Sequence, residues 1–231
     1  MINFAKTQKV LIVAAHPDDE MLGCGGTIAR LRQEGKNIHI LLLGEGPAAR
    51  TSQNAEEARS VARSSAHKAA ATLGIDNVCF AALPDNRFDT VALLDIVQII
   101  EKVAAMTRPD VVFTHHAWDM NQDHRITHQA VMTAFRPLPD TPPVTLLGFE
   151  VLSSTEYTPA HTVPSFSPNI FINIAQTFGA KQKALEAYAS EMRPWPHPRS
   201  FEAVAHLAAL RGCACGCEAA EAFVLYRNVL T

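Results

Sequence analysis

Residues 9 to 20 read KVLIVAAHPDDE. The first seven, apolar from Val10 onward, have no polar alternation and suit a strand buried on both faces. The chain then places His16, Asp18, Asp19 and Glu20 within five residues. Crowding like charges in that way is unfavourable unless bulk water, a helix N-terminus or a metal ion offsets it. Outward from this stretch the pattern repeats. TIARLRQEG (27–35) has helical spacing and ends at a glycine stop, and NIHILLLG (37–44) is a second strand. After the polar loop EGPAARTSQN comes an alanine-rich helix from about residue 55 to 73, closed by Gly74. NVCFAAL (77–83) is a third strand, TVALLDIVQIIEKVAAM (90–106) an amphipathic helix, and PDVVFTH (109–115) a fourth strand. Near-continuous apolar strands separated by helices predict an α/β protein: a three-layer, Rossmann-like fold with a mostly parallel sheet covered by helices on both faces.

The second half is less regular. VTLLGFEV (144–151) and PNIFINI (168–174) are further strands, AKQKALEAYASEM (180–192) is a helix, and MRPWPHPRS (192–200) is an extended proline-rich loop. AEAFVLYRNVL (220–230) fits strand or helix equally. No repeat, low-complexity tract or linker divides the chain, so a single domain over residues 1–231 is expected.

Composition narrows the class. With 231 residues, 48% hydrophobic and 19% charged, the chain matches a soluble globular protein. A formal net charge of −3 without a basic run excludes the electrostatic footprint of a nucleic-acid binder. No apolar run approaches the roughly 20 residues of a membrane span. MINFAKTQKVLIVAA shows no cleavage site, which reads as a cytoplasmic protein. Five cysteines without a secretion signal argue against a disulfide framework. Cys24 and Cys79 are expected as buried packing residues. Cys213, Cys215 and Cys217 in GCACGC are expected in a plain loop, because their spacing differs from that of structural zinc sites.

In a parallel α/β sheet, ligands gather outside the carboxyl ends of the strands. Two segments rich in histidine and acid fall there: residues 16–20 and THHAWDMNQDHRITH, 114–128. Two histidines and one carboxylate with an open position form a catalytic zinc arrangement. His16 and Asp19 lie three apart across a turn entering a helix, and His124 supplies a third ligand from the second segment. Asp18 is then left beside the metal, placed to take a proton from a metal-bound water whose pKa falls to roughly 7. Asp123 could orient a ring nitrogen from behind. The competing reading makes the acids dipole-complementing residues of the following helix. LGCGGT (22–27) lacks the order of a dinucleotide-binding loop, and its glycines are expected to permit close packing instead.

Taken together, AHPDDE followed by MLGCGGTIARL, with DMNQDHRITH about a hundred residues on, resembles the LmbE-like or PIG-L-type zinc N-deacetylases. LPDNRFDT and the YASEM…HPRS…AEAF ending resemble bacterial members acting on N-acetylated sugars. The resemblance covers most of the chain. It implies one zinc and hydrolysis of an acetamido group to an amine and acetate. It matches His16, Asp19 and His124 to the zinc ligands, Asp18 to the general base and Asp123 to the acid beside the last ligand. One position departs: Asn121 stands where many members have a histidine. An amide can donate to an oxyanion but cannot be a general acid, so the acid is Asp18 returning its proton or another histidine, with His115, His116 and His128 the candidates. Arg63, Asp85 and Arg87 resemble positions that hold sugar hydroxyls or phosphate. Glu45 and Arg50 could also rim the pocket, whereas His197 and Arg199 receive no role beyond a conceivable lid. The expected cofactor is Zn²⁺, although Fe²⁺ suits the same ligand set. The expected partner is a small-molecule N-acetyl sugar, and homo-oligomerisation is left open. The alternatives are hydrolysis of another small amide, or a metal- or sugar-binding module without turnover.

Overall fold

The computed structural model describes residues 7–46, 55–139 and 141–229. It contains strands β1 (Lys9–Ala14), β2 (Asn37–Gly44), β3 (Val78–Leu83), β4 (Val111–His115), β5 (Thr145–Phe149), β6 (Ile170–Asn173) and β7 (Ala220–Arg227). The helices are α1 (Asp19–Gln33), α2 (Ala55–Thr72), α3 (Leu93–Thr107), α4 (Gln122–Ala134), α5 (Phe178–Leu185) and α6 (Phe201–Cys215). All seven strands form one sheet in the order β3-β2-β1-β4-β5-β7-β6. The first five strands pair in parallel, whereas β7 runs antiparallel between β5 and β6.

The uninterrupted apolar run of β1 has a direct cause. Val10, Ile12 and Ala14 join a core with residues of α1, α2, α5 and α6 on one face. Leu11, Val13 and Ala15 join a second core with α3 and α4 on the other. Both faces are therefore dry, and each fully buried valine, leucine or isoleucine contributes ~1.5–3 kcal/mol. The fold is the expected three-layer α/β architecture.

The glycine-rich stretch closes the layers. A Cβ on Gly23 would lie 2.4 Å from the Phe149 ring, and one on Gly26 would lie 2.7 Å from the Ile174 side chain. Between them α1 breaks at Cys24 (φ −147°, ψ 20°). The Gly26 and Thr27 amides beyond the break donate to the Glu221 carboxylate at 3.0 and 2.7 Å. Lys181 Nζ neutralises that carboxylate at 2.6 Å and also donates to the Leu22 carbonyl. A helix break in the core thus has its freed donors and its buried charge satisfied.

Several expectations change. AEAFVLYR, whose pattern leaves strand and helix open, is a strand, β7, and α6 is a helix that the sequence reading does not include. Cys213 and Cys215 lie in the last turn of α6 rather than in a loop, and Cys217 follows the left-handed Gly216. Cys24 is buried as expected, but Cys79 is exposed, because β3 is the edge strand of the sheet. No helix among the described residues is long and apolar enough to cross a membrane.

Candidate active site

The strand order reverses between β1 and β4, and the two histidine- and acid-rich segments leave the carboxyl ends of these neighbouring strands. That is the crevice where open α/β sheets bind ligands. His16, Asp18 and Asp19 come from the turn into α1. His115 ends β4, and Asn121 caps α4, its Oδ1 accepting from the amides of Asp123 (2.8 Å) and His124 (3.4 Å). That cap aims Asp123 and His124, in the first turn of α4, back toward β1.

Asp19 is the centre of the cluster. Its Oδ2 accepts the His16 amide at 2.8 Å and lies 3.3 Å from His16 Nδ1 and 3.2 Å from His124 Nε2. Asp19 Oδ1 and His124 Nε2 are buried and have no hydrogen-bond partner. The far nitrogens of both rings are held by carboxylates. Asp123 Oδ2 lies 3.0 Å from His16 Nε2, while its Oδ1 accepts the Phe88 amide. Asp119 Oδ1 lies 3.1 Å from His124 Nδ1. Each carboxylate fixes a proton on the ring nitrogen it faces and leaves the other nitrogen with its lone pair toward Asp19. His16, Asp19 and His124 can therefore offer three ligand atoms to one metal ion, and their atoms lie within 4.8 Å of one another. His16 can also group with Asp85 and Asp123. Burial alone opposes a charged histidine. Even so, the hydrogen bonds from Asp123 and Asp19 push His16 up to about 10, and the charge of Asp19 with the Asp119 bond pushes His124 up to about 9. The surrounding carboxylates thus favour positive charge at this buried cluster.

Asp18 stands apart from this grouping. It is buried, at φ 108° and ψ −31°, a left-handed conformation that costs a non-glycine residue on the order of 1–3 kcal/mol. Glu20 holds its amide at 3.0 Å, and the Tyr188 hydroxyl in turn donates to Glu20 at 2.6 Å. Burial pushes the Asp18 carboxyl well above the usual range, Arg199 opposes this, and Asp19 and Glu20 add to it.

These groups floor a cavity of about 440 Å³. His16, Asp18, Asp85, Asn121 and His124, from the segments after β1, β3 and β4, line it together with Ser153 and Tyr157, after β5, and Arg193, His197 and Arg199 of the proline-rich segment. The remaining sequence candidates lie elsewhere. His115 is fully buried, its Nε2 accepts the Ala15 amide at 2.8 Å, and its ring stacks on His124 at 3.9 Å between centroids. His116 Nδ1 meets the Tyr226 hydroxyl at 3.1 Å, and His128 Nδ1 donates to the His115 carbonyl at 3.0 Å; neither lines the cavity. Arg63 pairs with Glu45 and lies over the Phe80 ring, and Arg87 leads into a short 3-10 turn at 88–90. Both are outside the cavity lining. Arg50 lies outside the described residues.

Two participants carried no assignment from sequence. Asp119 holds His124 and accepts from Ser154 Oγ, from Thr155 Oγ1 at 2.5 Å and from the Asn121 amide at 2.9 Å. Burial would raise its carboxyl, but His124 and the two hydroxyls bring it down to about 2. Its only sequence signal is an acid two residues before Asn121. Arg199 has no role in the sequence pattern beyond a lid, yet its Nη1 lies 2.7 Å from Asp18 Oδ2.

Comparison with known proteins agrees with this architecture. A family model described as PIG-L: GlcNAc-PI de-N-acetylase matches residues 11–135, which include all three candidate ligands. A protein of Escherichia coli (strain K12), the uncharacterized deacetylase YaiS, is 31% identical over 193 residues, spanning 80% of this chain and 92% of its own. Among solved structures, N,N'-diacetylchitobiose deacetylase from Pyrococcus horikoshii matches at a TM-score of 0.79 and 20% identity, over 96% of this chain and 85% of that one. GalB, the 4-carboxy-2-hydroxymuconate hydratase of Pseudomonas putida KT2440, matches at 0.79 and 21% identity, over 97% and 98%. Those two likenesses establish the fold; the two proteins are named for different reactions, so the fold by itself does not choose the chemistry. The family match and the bacterial relative do: the protein is an enzyme of the amide-hydrolysing deacetylase class. The chain belongs to the PIG-L (LmbE-like) family.

Proposed function

We propose that this enzyme is a metal-dependent hydrolase that removes the acetyl group from an N-acetylglucosamine-type sugar, with His16, Asp19 and His124 holding a zinc or similar divalent ion and Asp18 as general base. The observation that carries this reading is a buried cluster in which Asp19 Oδ2 lies 3.3 Å from His16 Nδ1 and 3.2 Å from His124 Nε2, while Asp19 Oδ1 and His124 Nε2 have no hydrogen-bond partner. Neutral imidazole nitrogens and a carboxylate oxygen are the donor set of a catalytic divalent site, and the histidine-backing carboxylates complete it. Such an ion, when bound, supplies a Lewis acid and a water acidified toward neutral pH.

The chain's own residues do the rest. Asp18, a buried base at the cavity floor, takes a proton from the attacking water and returns it to the departing amine, a role that suits a carboxyl held above its usual range. Asn121 spends its Oδ1 on the helix cap, so its Nδ2 is the donor left for the carbonyl oxygen as charge develops there. Asp119 and Asp123 keep the two imidazoles in the ligating tautomer. Asp85, the one proposed sugar contact in the cavity lining, is placed for a hydroxyl of the ring.

The test is metal analysis of the purified protein followed by amine and acetate release from a panel of N-acetylated sugars, free and conjugated. The expected result is about one divalent ion per chain and chelator-sensitive release of acetate and amine in equal amounts. Tight sugar binding with no acetate release under metal-replete conditions would reject the reading.

A further inference from the structure

Arg199 reaches Asp18 across 181 residues of sequence, and it is held at both ends. Its Nη1 donates to Asp18 Oδ2 at 2.7 Å while its Nε donates to Ser153 Oγ, also at 2.7 Å. The backbone behind it is anchored as well. The Arg199 carbonyl accepts the Arg193 amide at 2.9 Å, and its amide donates to His197 Nδ1 at 3.0 Å. Ser200, the next residue, is buried and caps α6 through its hydroxyl. The guanidinium is therefore presented from a fixed stem, with about a quarter of the side chain (23%) exposed and the Asp18 side chain nearly covered (4%).

Both residues it joins are unusual in backbone. Asp18 (φ 108°) and Ser153 (φ 68°) are among the few non-glycine residues with positive φ. Conformations of that kind persist where surrounding contacts over-determine them. Asp18 is also the first of three consecutive acids, with Asp19 and Glu20, so an arginine beside it places a positive charge in an acidic stretch. A planar guanidinium with two donors committed to two acceptors fixes orientation as well as charge.

We propose that Arg199 is a positioning residue for Asp18: by holding Oδ2 through a clasp closed on Ser153, it leaves Oδ1 as the oxygen that faces the reacting water. This rests on the general-base reading of Asp18 given above. It also assigns a task to the proline-rich segment 192–200, which supplies the clasp and lines the cavity through Arg193, His197 and Arg199.

The experiment compares kcat, KM and metal content of the metal-loaded full chain with those of Arg199→Ala, Arg199→Lys and Ser153→Ala. Misplacing a reacting group by about 1 Å costs on the order of 100-fold, so Arg199→Ala is expected to lose about 10- to 100-fold in kcat. Its KM should stay within about threefold and its metal content should be unchanged. Arg199→Lys, a point charge able to take one contact of the two, should recover part of that loss. Ser153→Ala should lose a smaller factor in the same direction. Should Arg199→Ala fail to fold, Arg199→Gln, which lacks the charge and the paired donors of the guanidinium, decides by the same kcat criterion. A kcat within twofold of wild type overturns the proposal, as does a rise confined to KM or a loss that tracks metal content. Rates are taken on whichever substrate the wild type hydrolyses, an N-acetyl sugar or a chromogenic acetate ester. A wild type active only on the ester overturns the sugar assignment and not the clasp; one inactive on both overturns the two together.

Discussion

Asp119 holds His124 from behind: a carboxylate oxygen lies 3.1 Å from the ring Nδ1, and the same carboxylate is saturated by Ser154, Thr155 and the Asn121 amide. Its orientation cannot drift without breaking several bonds at once. Removing a partner of this type lowers metal affinity by about 10- to 100-fold. Asp119→Asn should therefore bind the divalent ion correspondingly more weakly in a chelator-competition titration. Unchanged affinity would assign Asp119 to loop structure alone.

Asp18→Ala separates holding the ion from working on its water. The variant should retain the metal content of the wild type, because Asp18 is outside the His16, Asp19 and His124 grouping. Turnover should fall by about 10²–10⁴, the usual contribution of a general base. Elemental analysis alongside amine release checks both halves, and near-normal turnover would remove Asp18 from the mechanism.

His128 provides a pH dependence outside the metal cluster. Burial lowers its pKa from 6.5 to about 4, outweighing the bond to the His115 carbonyl. The folded chain thus keeps it neutral, while the unfolded chain takes up a proton near pH 6.5. Its stabilising effect is intact above pH 6.5 and is lost as pH falls toward 4. His128→Gln, which keeps a donor for that carbonyl, should show a flatter stability profile across this window. Urea unfolding at pH 7.5 and 4.5 should show wild type losing about 1–3 kcal/mol more than the variant. Parallel profiles would contradict the assignment.

Gly23 is where packing, and not turn geometry, demands glycine. Its absent Cβ would meet the Phe149 ring at 2.4 Å, between sheet and helix. Gly23→Ala should destabilise by ~1–3 kcal/mol through overpacking, lowering Tm by about 2–4 °C per kcal/mol. Gly179→Ala, with nothing within 4 Å of the added carbon, serves as the comparison and should be neutral or slightly stabilising. Equal Tm shifts for the two variants would show that Phe149 simply moves.

Much of this arrangement is legible in the chain because it is local. The apolar runs of β1, β2 and β4 are continuous since both faces are covered, and HPDDE and NQDH sit where parallel strands end. What escaped is non-local. Asp119 meets His124 only because the turn before α4 doubles back, and no periodicity encodes that turn. Arg199 lies far from Asp18 in sequence and within a segment whose prolines signal only an extended path. AEAFVLYR reads equally as helix or strand because its neighbours in the sheet, not its pattern, decide. Cys79 has the apolar flanks of a core residue, and only the edge position of β3 exposes it.

The place of β7 has a consequence for biosynthesis. It is the last strand among the described residues, yet it lies inside the sheet, and it carries Glu221, which closes the break in α1, and Tyr226, which holds the loop after β4. A ribosome releases the first five strands well before their neighbour exists, so the nascent chain carries β5 as a bare edge until β7 emerges. Premature termination just before Ala220 should yield not a shortened enzyme but a sheet open at β5, with β6 left without its partner, the first helix unfastened and the catalytic loops unsupported.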